Sequence, residues 1–198
     1  MAGWPPSSRA PVDPDALASF NRTVTVEGDE RVRLRPIRPD DEPRLIEAYD
    51  HLSRHTAYQR FFTVMPRLPV DWAHRLANVD YRRRFALVLE DARAASAPLI
   101  GVARYEPVPD DDTVELAFVI QDQWQGKGLG ALLVRELLRA ASQNGFERYR
   151  AFVLGDNRRM LELLARYTEV RERHFEQGVV ELTLVRKPEP APIPERKV

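Results

Sequence analysis

Gln125-Gly126-Lys127-Gly128-Leu129-Gly130 packs three of the chain's nine glycines into five residues. Before it, residues 113–121 form an apolar run with the length of a buried strand. After it, Leu132, Leu133, Leu137 and Leu138 recur at helical spacing through residues 129–142, and Asn144-Gly145 ends that helix. Strand, glycine loop and helix in this order leave free amides at the helix start. Glycine lets backbone approach a ligand, and such amides bind anions. A tight connection that merely needs small residues would read the same way, so the loop alone leaves both open. Two phosphate motifs drop out. Residues 126–131 satisfy G-x-G-x-x-A, but a dinucleotide fold needs a carboxylate about 20 residues on, at the end of the next strand. Glu147 has the distance yet stands at that strand's beginning. No G-x-x-x-x-G-K-[ST] loop occurs.

Upstream, residues 23–35 alternate apolar and polar about Gly28-Asp29, a hairpin signature. Asp40 is expected to cap a helix through Leu52 with Leu45, Ala48 and Tyr49 on one face, and residues 56–62 and 71–79 give two more helices. Residues 85–90, 99–105 and 113–121 read as strands joined by short polar, proline-containing links, hence antiparallel neighbours. Downstream, residues 148–154 form a strand, Asp156 or Asn157 caps a helix through Tyr167, and residues 169–175 and 179–185 close as a hairpin. This order predicts an α+β (mixed α/β) domain: a mostly antiparallel sheet with one parallel strand–helix–strand crossover.

The 198 residues fit one domain, expected over 22–187. Four prolines in residues 1–14 and four in 188–198 mark residues 1–21 and 188–198 as expected disordered tails. Thirty basic residues balance thirty acidic ones, which argues against a general nucleic-acid binder or a membrane-surface protein. No apolar run approaches the ~20 residues that span a bilayer, and residues 1–8 lack a signal peptide's basic start and apolar stretch. A cytoplasmic location is therefore expected. With no cysteine, the chain has no disulfide, thiolate metal site or cysteine nucleophile. His51, His55, His74 and His174 lack paired ligand spacing, so no metal is expected. Of the thirty basic residues 27 are arginine, a bias that genomic base composition explains.

Gln125-x-x-Gly128-x-Gly130 resembles the [R/Q]-x-x-G-x-[G/A] acyl-CoA loop of the GNAT acetyltransferase superfamily, and the flanking strand and helix stand where that family has them. Residues 156–161 resemble its asparagine-led helix. The Leu34-Arg35-Pro36-Ile37-Arg38-Pro39-Asp40-Asp41 stretch, Arg60-Phe61-Phe62, residues 76–81, 101–105 and 115–119 resemble the bacterial Pat-type protein lysine acetyltransferase domain, over about residues 31–168. The resemblance implies acetyl-CoA as cosubstrate. Its pyrophosphate would lie against Gly126, Lys127, Gly128, Leu129, Gly130 and Ala131, beside Gln125. Phe118, Val119 and Ile120 would offer backbone to the pantetheine arm, and Asn157 would contact the cofactor or simply cap its helix. Lys127 would touch phosphate or be solvated.

Direct transfer to an amine requires the amine to lose its proton, and the resemblance places a glutamate base at Glu115. Alternation sets Glu115 beside Ala117 and Val119 on one strand face. An ion pair with a neighbouring arginine such as Arg104 is the alternative. Many GNAT enzymes carry a tyrosine acid seven residues after the asparagine; here that position is Leu164, Tyr167 lies further along, and Thr168 replaces a glycine near the helix end. Arg82-Arg83-Arg84 reads as a solvated edge. Glu106 and the aspartates 110–112 form an acidic loop that either attracts a cationic amine or is only solvated. The expected acceptor is a lysine of a protein such as an acyl-CoA synthetase, with a small-molecule amine or a noncatalytic acyl-CoA-binding module as the competing expectations.

Overall fold

In a computed structural model of the chain, residues 14–26, 30–109 and 111–187 are described. The expected turn at Gly28-Asp29 and the two terminal stretches 1–13 and 188–198 lie outside the described residues. Eight strands form one sheet: β1 (Arg22–Val26), β2 (Glu30–Pro36), β3 (Phe85–Asp91), β4 (Leu99–Pro107), β5 (Thr113–Ile120), β6 (Arg148–Leu154), β7 (Thr168–Glu176) and β8 (Val179–Arg186). Their spatial order is β1-β2-β3-β4-β5-β6-β8-β7, antiparallel throughout except for β5 with β6. That parallel pair carries the crossover helix α5 (Leu129–Gln143). The α+β architecture expected from the element order is the one observed.

Each sheet face has its own apolar layer, as alternation along the strands requires. Leu133, Leu137 and Ala141 of α5 pack with Leu87, Leu89, Tyr105 and Leu116 on one face. The other face, with Ala86, Val88 and Val102, is covered by α2 (Glu42–Asp50), α3 (Arg54–Phe61) and α4 (Val70–Ala77). Helix α6 (Arg158–Tyr167) joins the α5 side through Leu164. No described helix is long and apolar enough to cross a membrane.

Several boundaries differ from the sequence reading, each for a tertiary reason. Residues 14–20, assigned to a tail, hold a short helix, α1 (Pro14–Ala18), followed by Phe20, which is 2% exposed and packs its ring 5.4 Å from that of Phe85. Asp40 caps nothing: a 3₁₀ turn at Pro39–Asp41 precedes α2, and the buried carboxylate is Asp41, which accepts from the Arg38 amide at 2.9 Å. Helix α3 starts earlier than expected because the Ser53 hydroxyl accepts from the Thr56 amide at 3.1 Å. Thr168 stands where a glycine was expected. Its hydroxyl donates to the Leu164 carbonyl at 2.7 Å, which ends α6 and lets β7 begin at that residue.

The Leu34–Asp41 stretch has a structural account. Arg35, 2% exposed, donates to both Asp41 oxygens at 2.7 Å and to Glu90 of β3 at 2.6 and 2.9 Å. Arg44 of α2 reaches the same two carboxylates at 2.8 Å. Burial works to raise both carboxyls, and the bonds and charge from Arg35, with Arg44 adding, outweigh it and leave both below their ordinary range.

Candidate active site

Strands β5 and β6 pair over only three residues, Thr113–Glu115 against Arg148–Arg150. Beyond that they part, and the gap opens into a cleft of about 560 Å³ walled by both strands, the glycine loop and α6. Gln121 donates its amide to the Ile100 carbonyl at 2.9 Å, and the β4–β5 register pairs Val102 with Val119. An antiparallel ladder uses the backbone of alternate residues. The peptide groups of Val119 are therefore spent on β4, while those of Phe118 and Ile120 face the cleft. This corrects the expectation that all three would present backbone; Val119 offers only its side chain.

The loop has the conformation its glycines suggest. Gly126 and Gly128 have φ of 87° and 79°, which residues with a Cβ seldom adopt. Gly128 is the N-cap of α5, and the first helical bond is Leu132 amide to Gly128 carbonyl at 3.1 Å. The amides of Leu129, Gly130 and Ala131 thus lack helical partners, and Gly130 and Ala131 line the cleft. The Leu129 side chain itself is buried in the core. A Cβ on Gly130 would lie 3.1 Å from the Leu163 side chain of α6, which would have to give by a few tenths of an ångström.

Two expected ligand side chains have other work. Gln125 lines the cleft, but its amide donates to the Ile120 carbonyl at 3.0 Å and so braces the end of β5. Lys127 turns to the other side of the loop. It pairs with Glu30 of β2 at 2.7 Å, lies 4.9 Å over the Trp124 ring, and is no part of the cleft wall. Asn157 lines the cleft and also caps α6, accepting from the Met160 amide at 3.1 Å. The cation that does border the glycine loop is Arg159, whose Nη2 is 3.5 Å from where a Cβ on Gly126 would lie. Arg159 was not singled out from the sequence, although it belongs to the same Asn157-led segment.

Glu115, the last residue of β5 to pair with β6, lines the cleft, and among the described residues its carboxylate makes no ion pair or hydrogen bond. It is reachable by solvent through the cleft mouth. The surrounding walls push its carboxyl above the ordinary range, with Arg60 opposing, Glu106 adding to the rise and Arg150 opposing. The expected Arg104 partnership goes elsewhere: buried Arg104 donates to Glu106. Arg84 also donates to Glu106, at 2.9 Å, so it is not the solvated edge expected. Leu164 is fully buried, and no tyrosine lines the cleft among the described residues. Among them, too, no group of histidines and carboxylates could hold a metal.

The profile of the Acetyltransferase (GNAT) domain matches residues 31–167. The chain is 34% identical over 168 residues to the acetyltransferase Pat of Mycolicibacterium smegmatis, covering 83% of this chain and 49% of that protein. The GNAT domain of S. lividans PAT superposes with a TM-score of 0.74 at 30% identity, over 84% of this chain and 97% of that one. The cAMP-binding acyltransferase from Mycobacterium smegmatis gives a TM-score of 0.57 at 29% identity, over 88% and 50%. The chain thus spans about half the length of the Mycolicibacterium relative it matches. With the splayed strand pair, the glycine loop at a helix start and the matched profile all in one region, this chain belongs to the GNAT acetyltransferase family.

Proposed function

We propose that the chain is an acetyl-CoA-dependent N-acetyltransferase whose acceptor is a lysine of a protein, with Glu115 as general base. The carrying observation is the junction of an open strand edge with a carboxylate that has no partner among the described residues. Phe118 and Ile120 turn peptide groups into the cleft, and Glu115 lies three residues before Phe118 on the same strand. The pantetheine arm would hydrogen-bond there as an added strand. The pyrophosphate would take the Leu129, Gly130 and Ala131 amides, with Arg159 as counter-charge. Acetyl-CoA supplies a thioester carbonyl activated for attack. Glu115 accepts a proton from the acceptor ammonium, the amine nitrogen bonds to the carbonyl carbon, the carbon–sulfur bond breaks with the sulfur leaving as thiolate, and the second amine proton passes to solvent so that a neutral amide remains.

A lysine with pKa about 10.4 is more than three units from neutrality, so an amine left charged would add roughly 4–5 kcal/mol to the barrier. Removing that proton is the main task of the site. Among the described residues no tyrosine lines the cleft for the departing sulfur, and a thiol leaves readily without one.

Two measurements test the proposal. Thiol release from acetyl-CoA is followed with a protein acceptor, an acyl-CoA synthetase, and with a panel of small amines. Higher kcat/KM for the protein is expected; a small amine preferred by tenfold or more would replace lysine as the acceptor. Arg159→Ala should raise KM for acetyl-CoA several-fold with kcat little changed, because a phosphate contact binds ground and transition states alike. An unchanged KM removes Arg159 from the binding site.

A further inference from the structure

The β4–β5 ladder holds a second carboxylate that this reaction scheme leaves unused. Glu106 stands directly opposite Glu115 on the same sheet face. Like charges so placed repel and are disfavoured in a sheet. Glu106 is held there by two cations, Arg84 at 2.9 Å and Arg104 from its own strand. Arg104 also donates to the Leu76 carbonyl of α4 at 3.2 Å, so the pair is tied into the helical layer.

Glu115 has a neighbour of the opposite sign. Arg60 of α3 lines the same cleft, and among the described residues its guanidinium makes no ion pair and no hydrogen bond, resting 4.8 Å over the Phe61 ring. Burial, with the charge of Arg104 adding, pushes Arg60 down to about 10 against the pull of Glu115 and Glu106. The other charges around Glu115 come from β6 and α6. Arg150 of β6 is engaged by Glu181 at 3.2 Å and Asp111 at 3.9 Å. Arg159, Glu162 and Arg166 reach the cleft from the α6 wall.

We propose that Glu106 and Arg60 are opposed positioning residues for the base: Glu106, held ionised by Arg84 and Arg104, strengthens the proton affinity of Glu115, and Arg60 weakens it. Two carboxylates in one site thereby take different roles, one fixed as a charge and one free to take a proton. The inference rests on the reading of Glu115 as base. Without Glu106, Glu115 would be a weaker base; without Arg60, more of it would be protonated near neutrality.

The acid limb of kcat/KM against pH reports the free enzyme's base. Glu106→Gln should move that limb to lower pH, by about half a unit or more for a charge at cross-strand distance, and Arg60→Gln should move it to higher pH. Glu106→Asp and Arg60→Lys keep the charges and should leave the limb near its original place, which a purely structural role would not predict. Stabilisation by acetyl-CoA in a thermal melt establishes that each variant is folded. Limbs that stay put, or that move in the same direction, overturn the proposal. Should Glu106→Gln fail to fold because Arg104 loses its partner, Arg60→Gln decides: an upward shift supports the assignment and an unmoved limb overturns it. Glu115→Gln separates the two levels. If it keeps full activity, the base reading itself fails; if it is inactive while both limbs stay put, only the present inference fails.

Discussion

Glu115→Gln is expected to lower turnover by about 10²–10⁴-fold while leaving the affinity for acetyl-CoA intact. Gln keeps the shape of the side chain and cannot accept the ammonium proton. The proposed seats for the cofactor lie elsewhere, on Phe118, Ile120 and the amides that open α5. The same substitution should stabilise the free protein. Burial holds the Glu115 carboxyl above its ordinary range, so ionisation is less favourable in the folded chain than in the unfolded one. A raised carboxyl favours folding at pH below the unfolded value, and that contribution is lost as pH rises through the folded value. At pH 7 the wild type carries this cost and the Gln variant does not, so its Tm should be higher. Single-turnover rates and a melt at pH 7 and pH 4 check both halves. Full activity removes Glu115 as the base, and a lower Tm at pH 7 would mean that the carboxylate is held by a favourable partner.

Arg35→Met should cost about 3–5 kcal/mol of folding stability at pH 7, because it leaves Asp41 and Glu90 buried with only Arg44 between them. The pH dependence follows from the direction of the shifts. Both carboxyls lie below their ordinary range, burial being outweighed by Arg35 and Arg44. Their contribution is present above the unfolded values, near 4, and disappears as pH falls through the folded ones. The gap between Arg35→Met and wild type should accordingly hold from pH 7 down to about 4 and narrow only as the pH of a urea titration falls below that. A loss below about 1 kcal/mol at pH 7 would show that Arg44 alone suffices.

What could be read in advance was local. Glycines at 126 and 128 announce positive φ, leucine spacing announces α5, and alternation along β5 places Glu115 with Ala117 and Val119. The five-residue α1 is too short to show a period, and Phe20 is buried only because β3 brings Phe85 to it. Lys127 belongs to the loop that the resemblance sets against phosphate. Its partner, Glu30, is 97 residues away, and nothing in the loop announces it. Arg35 and Glu90 are likewise 55 residues apart and meet because β2 and β3 are neighbours.

The sequence by itself determined the longer helices and the strands, their order and the residues that resemble an acyl-CoA loop, since helix period, strand alternation and glycine backbone freedom all act over a few residues. The tertiary structure decided which of those residues share a cleft. Phe118 and Ile120 face it while Val119 is tied to β4, because the ladder register fixes which peptide groups are spent. It also decided that Arg104 and Arg84 belong to Glu106, leaving Glu115 without an ion pair among the described residues and Arg60 in the same cleft. Charge interactions depend on distance in space and on burial, and neither is written in the order of the residues.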